Sequence, residues 1–149
     1  MSMRAWELYL NQVSCGMEIV PSTLHQKKIV GEGYDMGHVM FTELAGYGGS
    51  FMNVLPNPQA FLVSSMKIFG ITSELLMAGV SLMIGNKSIF YREPAWLFQV
   101  RPGFSGMLHH MPVMIAPLIP FRVTIDFDWD VSKRLVEVVL IGQKARPVQ

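Results

Sequence analysis

The side chains that could carry chemistry are few and scattered along the chain. The histidines are His25, His38, His109 and His110. Two histidines that share a metal on one face of a strand stand two residues apart, because successive side chains point to opposite faces. No such His-x-His pair occurs, and the adjacent His109 and His110 would point to opposite faces of an extended chain. The histidine spacing therefore predicts no metal site.

Alternate carboxylates at Asp126, Asp128 and Asp130 are the best candidate for a site that binds a hard cation such as calcium. Glu137 stands at the twelfth position counted from Asp126, as the last ligand of an EF-hand loop does. However, Val131 occupies the sixth position, where that loop needs glycine, and the flanking residues have strand patterns. We therefore expect a polar strand face followed by a turn, with no bound metal.

The remaining candidates for phosphate binding or nucleophilic catalysis lack the residues that such chemistry needs. The glycine-rich residues 46–50 do not end in Gly-Lys-Ser/Thr and predict a flexible loop. Ser50 does not stand in a Gly-x-Ser-x-Gly elbow. Cys15 is the only cysteine, which excludes an internal disulfide and predicts a structural, buried thiol. We expect no catalytic residue, no cofactor and no enzymatic activity.

The composition predicts one domain over residues 1–149 that assembles with other subunits. A chain of this length is enough for one compact core. Hydrophobic residues make up 50% of the chain and charged residues only 15%, against about 25% in an average soluble protein. Such a surface leaves apolar area facing outward unless other subunits cover it. The net charge of +1, without a long block of either sign, argues against sequence-specific nucleic acid binding.

No segment has the pattern of a membrane-spanning helix or a secretory signal. The longest apolar run, residues 75–85, has about half the length of a bilayer span. Residues 102–121 lack charges, but Pro112, Pro117 and Pro120 would each remove a backbone donor from a helix. Charged side chains interrupt residues 1–20. We therefore expect neither a membrane span nor a signal peptide.

Alternation of apolar and polar residues predicts strands in several places. The clearest is the segment from Phe121 to Phe127, whose apolar side chains all fall on one face. The β-branched run 135–141 predicts a strand covered on both faces and ended by Gly142. Further strand candidates are residues 6–10, 17–20, 38–44 and 60–69, and a hairpin of 80–84 and 88–91 joined by Gly85-Asn86-Lys87.

Residues 71–79 are the only segment in which a helix competes well with a strand. Thr72 or Ser73 could cap this helix, and Glu74 would lie in its first turn. Together with about eight short strands separated by Gly and Pro turns, this predicts an all-β fold with one short helix. The fold class is a single jelly roll or β-sandwich, whose strand order the pattern does not reveal.

The methionines and the hydrophobic residues 103–119 are expected to pack within a subunit or between subunits. The twelve methionines are interspersed in strand-like segments, which predicts that they fill the core or a subunit interface. The hydrophobic residues 103–119, read as a loop, predict a buried segment between subunits. Both interpretations agree with a chain that assembles.

The order of several short motifs also carries a resemblance to a known family. Residues 51–69 contain Leu55-Pro56-Asn57-Pro58, which leads into residues 61–63. A hairpin segment covers residues 82–87, and Ile115-Ala116-Pro117 leads into 121–123. The closing segments are residues 140–142 and 146–149. In these motifs, within about the last hundred residues, the chain resembles jelly-roll capsid proteins of tailless icosahedral bacteriophages.

The resemblance implies a structural virion protein located in the capsid and assembled in the host cytoplasm. Its partners would be copies of itself and other capsid proteins, with membrane contact only if the virion has an internal lipid layer. The length suits one jelly roll, which fits a shell, penton or minor capsid protein. Two alternatives stay open: a cupin-like metal-dependent enzyme or small-molecule binder that uses His38 or His109, and a phage tail or receptor-binding module.

Overall fold

The computed structural model describes residues 17–30, 38–41, 44–45, 51–52, 54–100 and 112–147. A single 3₁₀ helix, Ala95–Phe98, accompanies ten strands within these residues. The strands are β1 (Met17–Val30), β2 (His38–Phe41), β3 (Leu44–Ala45), β4 (Phe51–Met52), β5 (Ala60–Phe69), β6 (Gly79–Ile84), β7 (Lys87–Pro94), β8 (Val113–Ile115), β9 (Phe121–Asp126) and β10 (Arg134–Pro147).

The strands form two antiparallel sheets with a nested order of pairing. One sheet has the order β4-β3-β1-β10-β5-β8 and the other β2-β9-β6-β7. Without the two-residue strands β3 and β4, the first strand pairs with the last, β1 with β10, and the second with the second last, β2 with β9. The inner pairs are β5 with β8 and β6 with β7. This is one long hairpin folded over into two sheets, and the predicted all-β sandwich is confirmed.

The core lies between the two sheets. The alternation predicted for Phe121–Phe127 is confirmed, because all four apolar side chains of that segment are buried in it. Each fully buried side chain of this size contributes about 1.5–3 kcal/mol relative to an exposed one. From the six-stranded sheet the core receives Phe61, Val63, Met66, Ile68, Val136, Val138 and Leu140.

Strand β10 is longer and less covered than the sequence predicts. It continues through Gly142 to Pro147, and its pairing with β5 shifts register between Ile141 and Gly142. At this bulge the two strands approach so closely that a Cβ on Gly142 would overlap the carbonyl oxygen of Leu62. Glycine here allows close packing of two backbones instead of ending the strand. On the outer face Leu135 is 56% exposed, so the strand is not covered on both faces throughout.

Residues 71–79 form consecutive turns, so the predicted short helix is wrong at this position. The amide of Leu75 donates to the carbonyl of Thr72 (2.9 Å), and that of Ala78 to the carbonyl of Leu75 (3.1 Å). Leu75 is fully buried in the core, and the Ala78 carbonyl accepts a hydrogen bond from the amide of Ala95 (2.9 Å). These contacts with the rest of the sandwich outweigh a helix propensity that is worth only tenths of a kcal/mol per residue.

The predicted hairpin between β6 and β7 is confirmed. Ile84 pairs with Lys87 across the two-residue turn Gly85-Asn86. Gly85 has a φ of +59°, which suits the first central position of a two-residue hairpin turn. Its amide also donates to the carbonyl of Pro120 (2.7 Å), which ties this turn to the connection between β8 and β9.

The two ends of the sandwich differ in composition. Residues 70–78, 95–100 and 127–133 leave the strands at one end, which we call the tryptophan end because it carries Trp96 and Trp129. The turns at residues 85–86 and 116–120 lie at the opposite end. The described part of the chain contains no helix that is long and apolar enough to cross a bilayer.

Candidate functional site

A cleft of about 300 Å³ opens at the tryptophan end beside the four-stranded sheet. Asp126, the last residue of β9, pairs with His38 of β2 on one side and Gly79 of β6 on the other. Its side chain points away from the core because its neighbours Ile125 and Phe127 are buried in it. The lining consists of Met77, Gly79, Arg92, Asp126, Phe127, Asp128 and Trp129.

A strained backbone directs Arg92 into this cleft. The β6–β7 ladder shifts register between Val80 and Leu82, and Arg92 adopts a φ of +52°. Its amide donates to the hydroxyl of Ser81 (2.9 Å). For a residue other than glycine this conformation costs about 1–3 kcal/mol. The result is a guanidinium whose Nε lies 3.7 Å from Oδ2 of Asp126.

Gly79 makes room for the Arg92 side chain. A Cβ at Gly79 would lie 3.2 Å from both Cβ and Cγ of Arg92. Contacts this short are rare, so a larger residue would push the arginine stem away from β6. The glycine therefore lets Arg92 pass over β6 toward Asp126 on the next strand.

Trp129 is anchored through its indole nitrogen. Nε1 donates to the backbone carbonyl of Glu74 (2.6 Å). The ring also contacts Phe127, with centroids 6.1 Å apart and planes tilted by 56°. The side chain remains 37% exposed, so a fixed indole borders the cleft.

The Glu74 carboxylate ties two connections of the tryptophan end together. It accepts hydrogen bonds from the hydroxyl of Ser132, from its amide (2.8 Å) and from Nη2 of Arg134 (2.6 Å). The Ser132 hydrogen bonds, followed by the charge of Arg134, lower the pKa of Glu74 against the opposing effect of burial. This cluster holds residues 70–78 against residues 127–133, which carry two walls of the cleft.

The described histidine side chain lies on the other sheet. His25 of β1 has its Nδ1 2.8 Å from Oε2 of Glu137 on β10 and its Nε2 2.9 Å from Oγ1 of Thr23. His38 contributes the backbone of β2, and its side chain lies outside the described residues. The structure does not describe His109, His110, Cys15, residues 6–10 or residues 46–50.

The structure separates the carboxylates of the calcium-type pattern. Asp126 and Asp128 line the cleft, but Asp130 does not, and Glu137 contacts His25 on the other sheet. Strand β9 ends at Asp126, and the next strand begins at Arg134, as expected for a strand face followed by a turn. In the part of the chain that the structure describes, no three His, Cys, Asp or Glu side chains form a group that could hold a metal ion.

Exposed apolar side chains concentrate at the tryptophan end. Ten large hydrophobic residues are exposed within the described ranges, and six of them lie at this end. We give the name apolar patch to four of these exposed residues, which are Phe69 and Leu135 at the ends of neighbouring strands and Trp96 and Val100 in the connection of residues 95–100. Phe69 and Leu135 share the outer face of the six-stranded sheet, because Phe69 pairs with Glu137, two residues from Leu135. A bridge between Ile68 and Gln99 brings Val100 alongside the end of β5.

Part of the segment predicted to be a loop between subunits is a strand. Residues 113–115 form β8 and pair with β5, and Val113 and Ile115 are buried in the core. Met114 points to the other side and packs on a second apolar cluster that contains Leu62. The part of the predicted loop over residues 103–111 lies outside the described residues.

Sequence reasoning identified the carboxylates of the cleft but missed the other side chains that line it. Arg92 and Gly79 belong to the β6–β7 hairpin, which the sequence predicts from its turn residues. The register shift that directs the Arg92 side chain toward the cleft has no signal in the local sequence. Trp129 lies between Asp128 and Asp130 in the sequence. Its position at the cleft depends on the hydrogen bond from its indole to the carbonyl of Glu74, a residue that is distant in sequence.

Comparison with known proteins adds no relative from which a role could be transferred. No protein-family model matches the chain, and no curated protein matches its sequence. The function is therefore inferred from the fold, the surface and the cleft.

Proposed function

We propose that the protein is a structural, non-enzymatic subunit of an icosahedral bacteriophage capsid. In this role it would serve as a shell, penton or minor capsid protein in the virion. It would bind copies of itself and other capsid proteins. The nested pairing of strands supports this proposal, because capsid subunits are among the proteins that use the jelly roll. The motif resemblance of residues 51–149 points in the same direction.

The observation that carries the proposal is the apolar patch at the tryptophan end. Phe69, Trp96, Val100 and Leu135 remain exposed although the sandwich already has a closed core. Only 15% of the residues of the chain are charged, so few charges are available to solvate such a surface. A group of exposed apolar side chains on a surface with few charges favours contact with another protein.

Burial of such a surface would contribute free energy to assembly. Stable protein interfaces bury about 1,200–2,000 Å² in total. Burial of apolar surface contributes about 25 cal/mol per Å², from which the entropy cost of association is subtracted. A subunit that meets several neighbours gains this contribution at each contact, and a closed shell requires no catalytic residue.

The loops of the tryptophan end are connected to one another by hydrogen bonds, which favours their use as a contact surface. Glu74 connects residues 70–78 to Ser132 and Arg134, and the amide of Trp96 donates to the carbonyl of Leu76 (3.2 Å). A surface that is already ordered loses less conformational entropy when it binds. This favours repeated, identical contacts between subunits.

The proposal is tested by the mass of the purified protein. Light scattering combined with size-exclusion chromatography is expected to give species of several times the monomer mass of 16.8 kDa. Electron microscopy of the same fractions is expected to show rings, shells or other regular assemblies. A protein that remains a 16.8 kDa monomer at high concentration would contradict the proposal.

A further inference from the structure

We propose that the cleft at the tryptophan end binds a neutral, hydroxyl-rich ligand, a saccharide. This inference does not depend on a role in a capsid, since it rests on Arg92, Asp126, Asp128, Trp129 and Met77 alone. The volume of about 300 Å³ lies at the lower end of the range for small-molecule sites. It therefore suits one or two sugar rings better than a folded partner.

The charges of the cleft favour an uncharged ligand. An anion would meet the carboxylates of Asp126 and Asp128. A cation would meet the guanidinium of Arg92, which is 59% exposed and already lies 3.7 Å from Asp126. Arg92 offsets one of the two negative charges, so an anion is disfavoured and a cation meets a negative charge that is already partly compensated, whereas a neutral ligand needs no compensating charge.

The polar groups of the cleft complement hydroxyl groups. Carboxylate oxygens accept hydrogen bonds and guanidinium N–H groups donate them, whereas a hydroxyl does both. Hydrogen bonds to charged groups are stronger than those between neutral groups. Asp126, Asp128 and Arg92 line the same cleft, so it offers both hydrogen-bond acceptors and donors to a ligand that carries hydroxyl groups.

The apolar walls complement the other side of a sugar. The indole of Trp129 and the side chain of Met77 border the same cleft, and both are exposed. A sugar ring carries C–H groups on its faces, and these pack on an aromatic surface while the hydroxyls point sideways. Small-molecule sites combine apolar surface with a few placed polar groups in this way.

The side chains of Arg92 and Trp129 are held in position before a ligand binds. The β6–β7 register shift and Gly79 set the position of Arg92. The bond from its indole to Glu74 holds Trp129. Side chains that are already fixed lose little entropy when a ligand binds, which favours binding of a small molecule with few contacts.

The experiment measures binding of glucose, galactose and N-acetylglucosamine, each added separately to the full chain. Saturation-transfer NMR and tryptophan fluorescence report binding. At least one of the sugars is expected to bind with a millimolar Kd. Asp128→Asn is expected to weaken that binding at least about tenfold, which equals 1.4 kcal/mol. Asp130→Asn, an exposed carboxylate outside the cleft, is the matched control and is expected to leave the Kd unchanged.

Three outcomes would overturn the inference. The first is no binding of any of these sugars up to on the order of 100 mM, well above a millimolar Kd. The second is sugar binding that Asp128→Asn and Arg92→Ala both leave unchanged, because that would put the sugar elsewhere. The third is tighter binding of free L-arginine than of any of the three sugars, which would make the cleft a site for a cationic side chain. None of these outcomes affects the assembly measured by light scattering.

Discussion

At the residue scale, the cleft depends on single side chains held by distant partners. Arg92 reaches Asp126 because Gly79 leaves space on the strand between them. Trp129 borders the cleft because Glu74 accepts the indole hydrogen bond through its backbone. Glu74 therefore contributes twice, through its carbonyl to Trp129 and through its carboxylate to Ser132.

The lowered pKa of Glu74 predicts a stability that depends on pH. A carboxyl group whose pKa is lower in the folded than in the unfolded protein stabilises the fold above the unfolded pKa, near 4.5. This stabilisation is lost as the pH falls through the folded pKa. We expect Glu74→Gln to lower the urea midpoint at pH 7, and the difference from the wild type to shrink on acidification below pH 4.5. Urea denaturation of both proteins over a series of pH values measures this difference in midpoint.

Ser132→Ala is the companion variant for this measurement. It removes the hydroxyl that donates to Glu74 but keeps the carboxyl group itself. Because the Ser132 side chain is the largest cause of the lowered pKa, we expect a weaker pH dependence than in the wild type. If Glu74→Gln and the wild type lose stability in parallel over the whole series, the described hydrogen bonds do not stabilise the charged form.

At the element scale, the approach of β10 to β5 determines the shape of the six-stranded sheet. The register shift opposite Ile141 and Gly142 leaves Ser64 of β5 without a paired residue, and it changes which residues of β5 face the core. On one side of it Phe61 and Val63 point inward, and on the other side Met66 and Ile68 do. A bulge of this kind bends a strand and increases its twist.

Gly142→Ala is expected to destabilise the protein strongly. The added Cβ would overlap the carbonyl oxygen of Leu62, a backbone atom that cannot rotate away. Inserting a methyl group into a packed region costs about 1–3 kcal/mol when neighbours have to shift. Chemical denaturation measures this as a lower free energy of unfolding.

Gln143→Ala serves as the neighbouring control. Gln143 is exposed on the same strand, so its truncation is expected to change stability by no more than about 0.5 kcal/mol. Equal stability of Gly142→Ala and Gln143→Ala would show that β5 and β10 are not as close as described.

At the scale of the whole molecule, the fold closes through contacts between distant parts of the chain. β1 pairs with β10 along its full length, from Met17 with Pro147 to Val30 with Arg134. The sandwich then presents its exposed apolar side chains mainly at one end. A subunit with one apolar end and a closed core is suited to contact neighbours in a fixed direction.

Charging the apolar patch is expected to prevent assembly without unfolding the subunit. Phe69 and Leu135 are exposed, so Phe69→Lys combined with Leu135→Lys removes little packing. The positive charge introduced by Phe69→Lys would stand opposite the carboxylate of Glu137 across the two strands. Light scattering is expected to shift from assemblies toward the 16.8 kDa monomer, with an unchanged unfolding midpoint.

A control with the same added charge is Asn86→Lys combined with Gln143→Lys, at two exposed polar residues outside the patch. This variant is expected to assemble like the wild type. If both double variants assemble equally well, the patch does not contribute to the subunit contacts.

The candidate site was predictable only where its signal is local. The alternate spacing of Asp126 and Asp128 identified them as neighbours on one side of the chain, and the structure brings both to the cleft. Arg92 could not be predicted, because its direction results from a register shift between β6 and β7. Nor could Trp129, since its anchor on Glu74 is 55 residues away.

Local patterns in the amino-acid sequence were enough to predict the strand-rich class, the half-buried face of β9 and the hairpin that turns at Gly85-Asn86. These features follow from side-chain alternation and turn chemistry, which act within a few residues. The nested strand order, the turns at residues 71–79 and the continuation of β10 through Gly142 became visible only in the folded structure. Each of these depends on backbone groups and buried side chains that meet from distant positions, and such contacts outweigh local propensities.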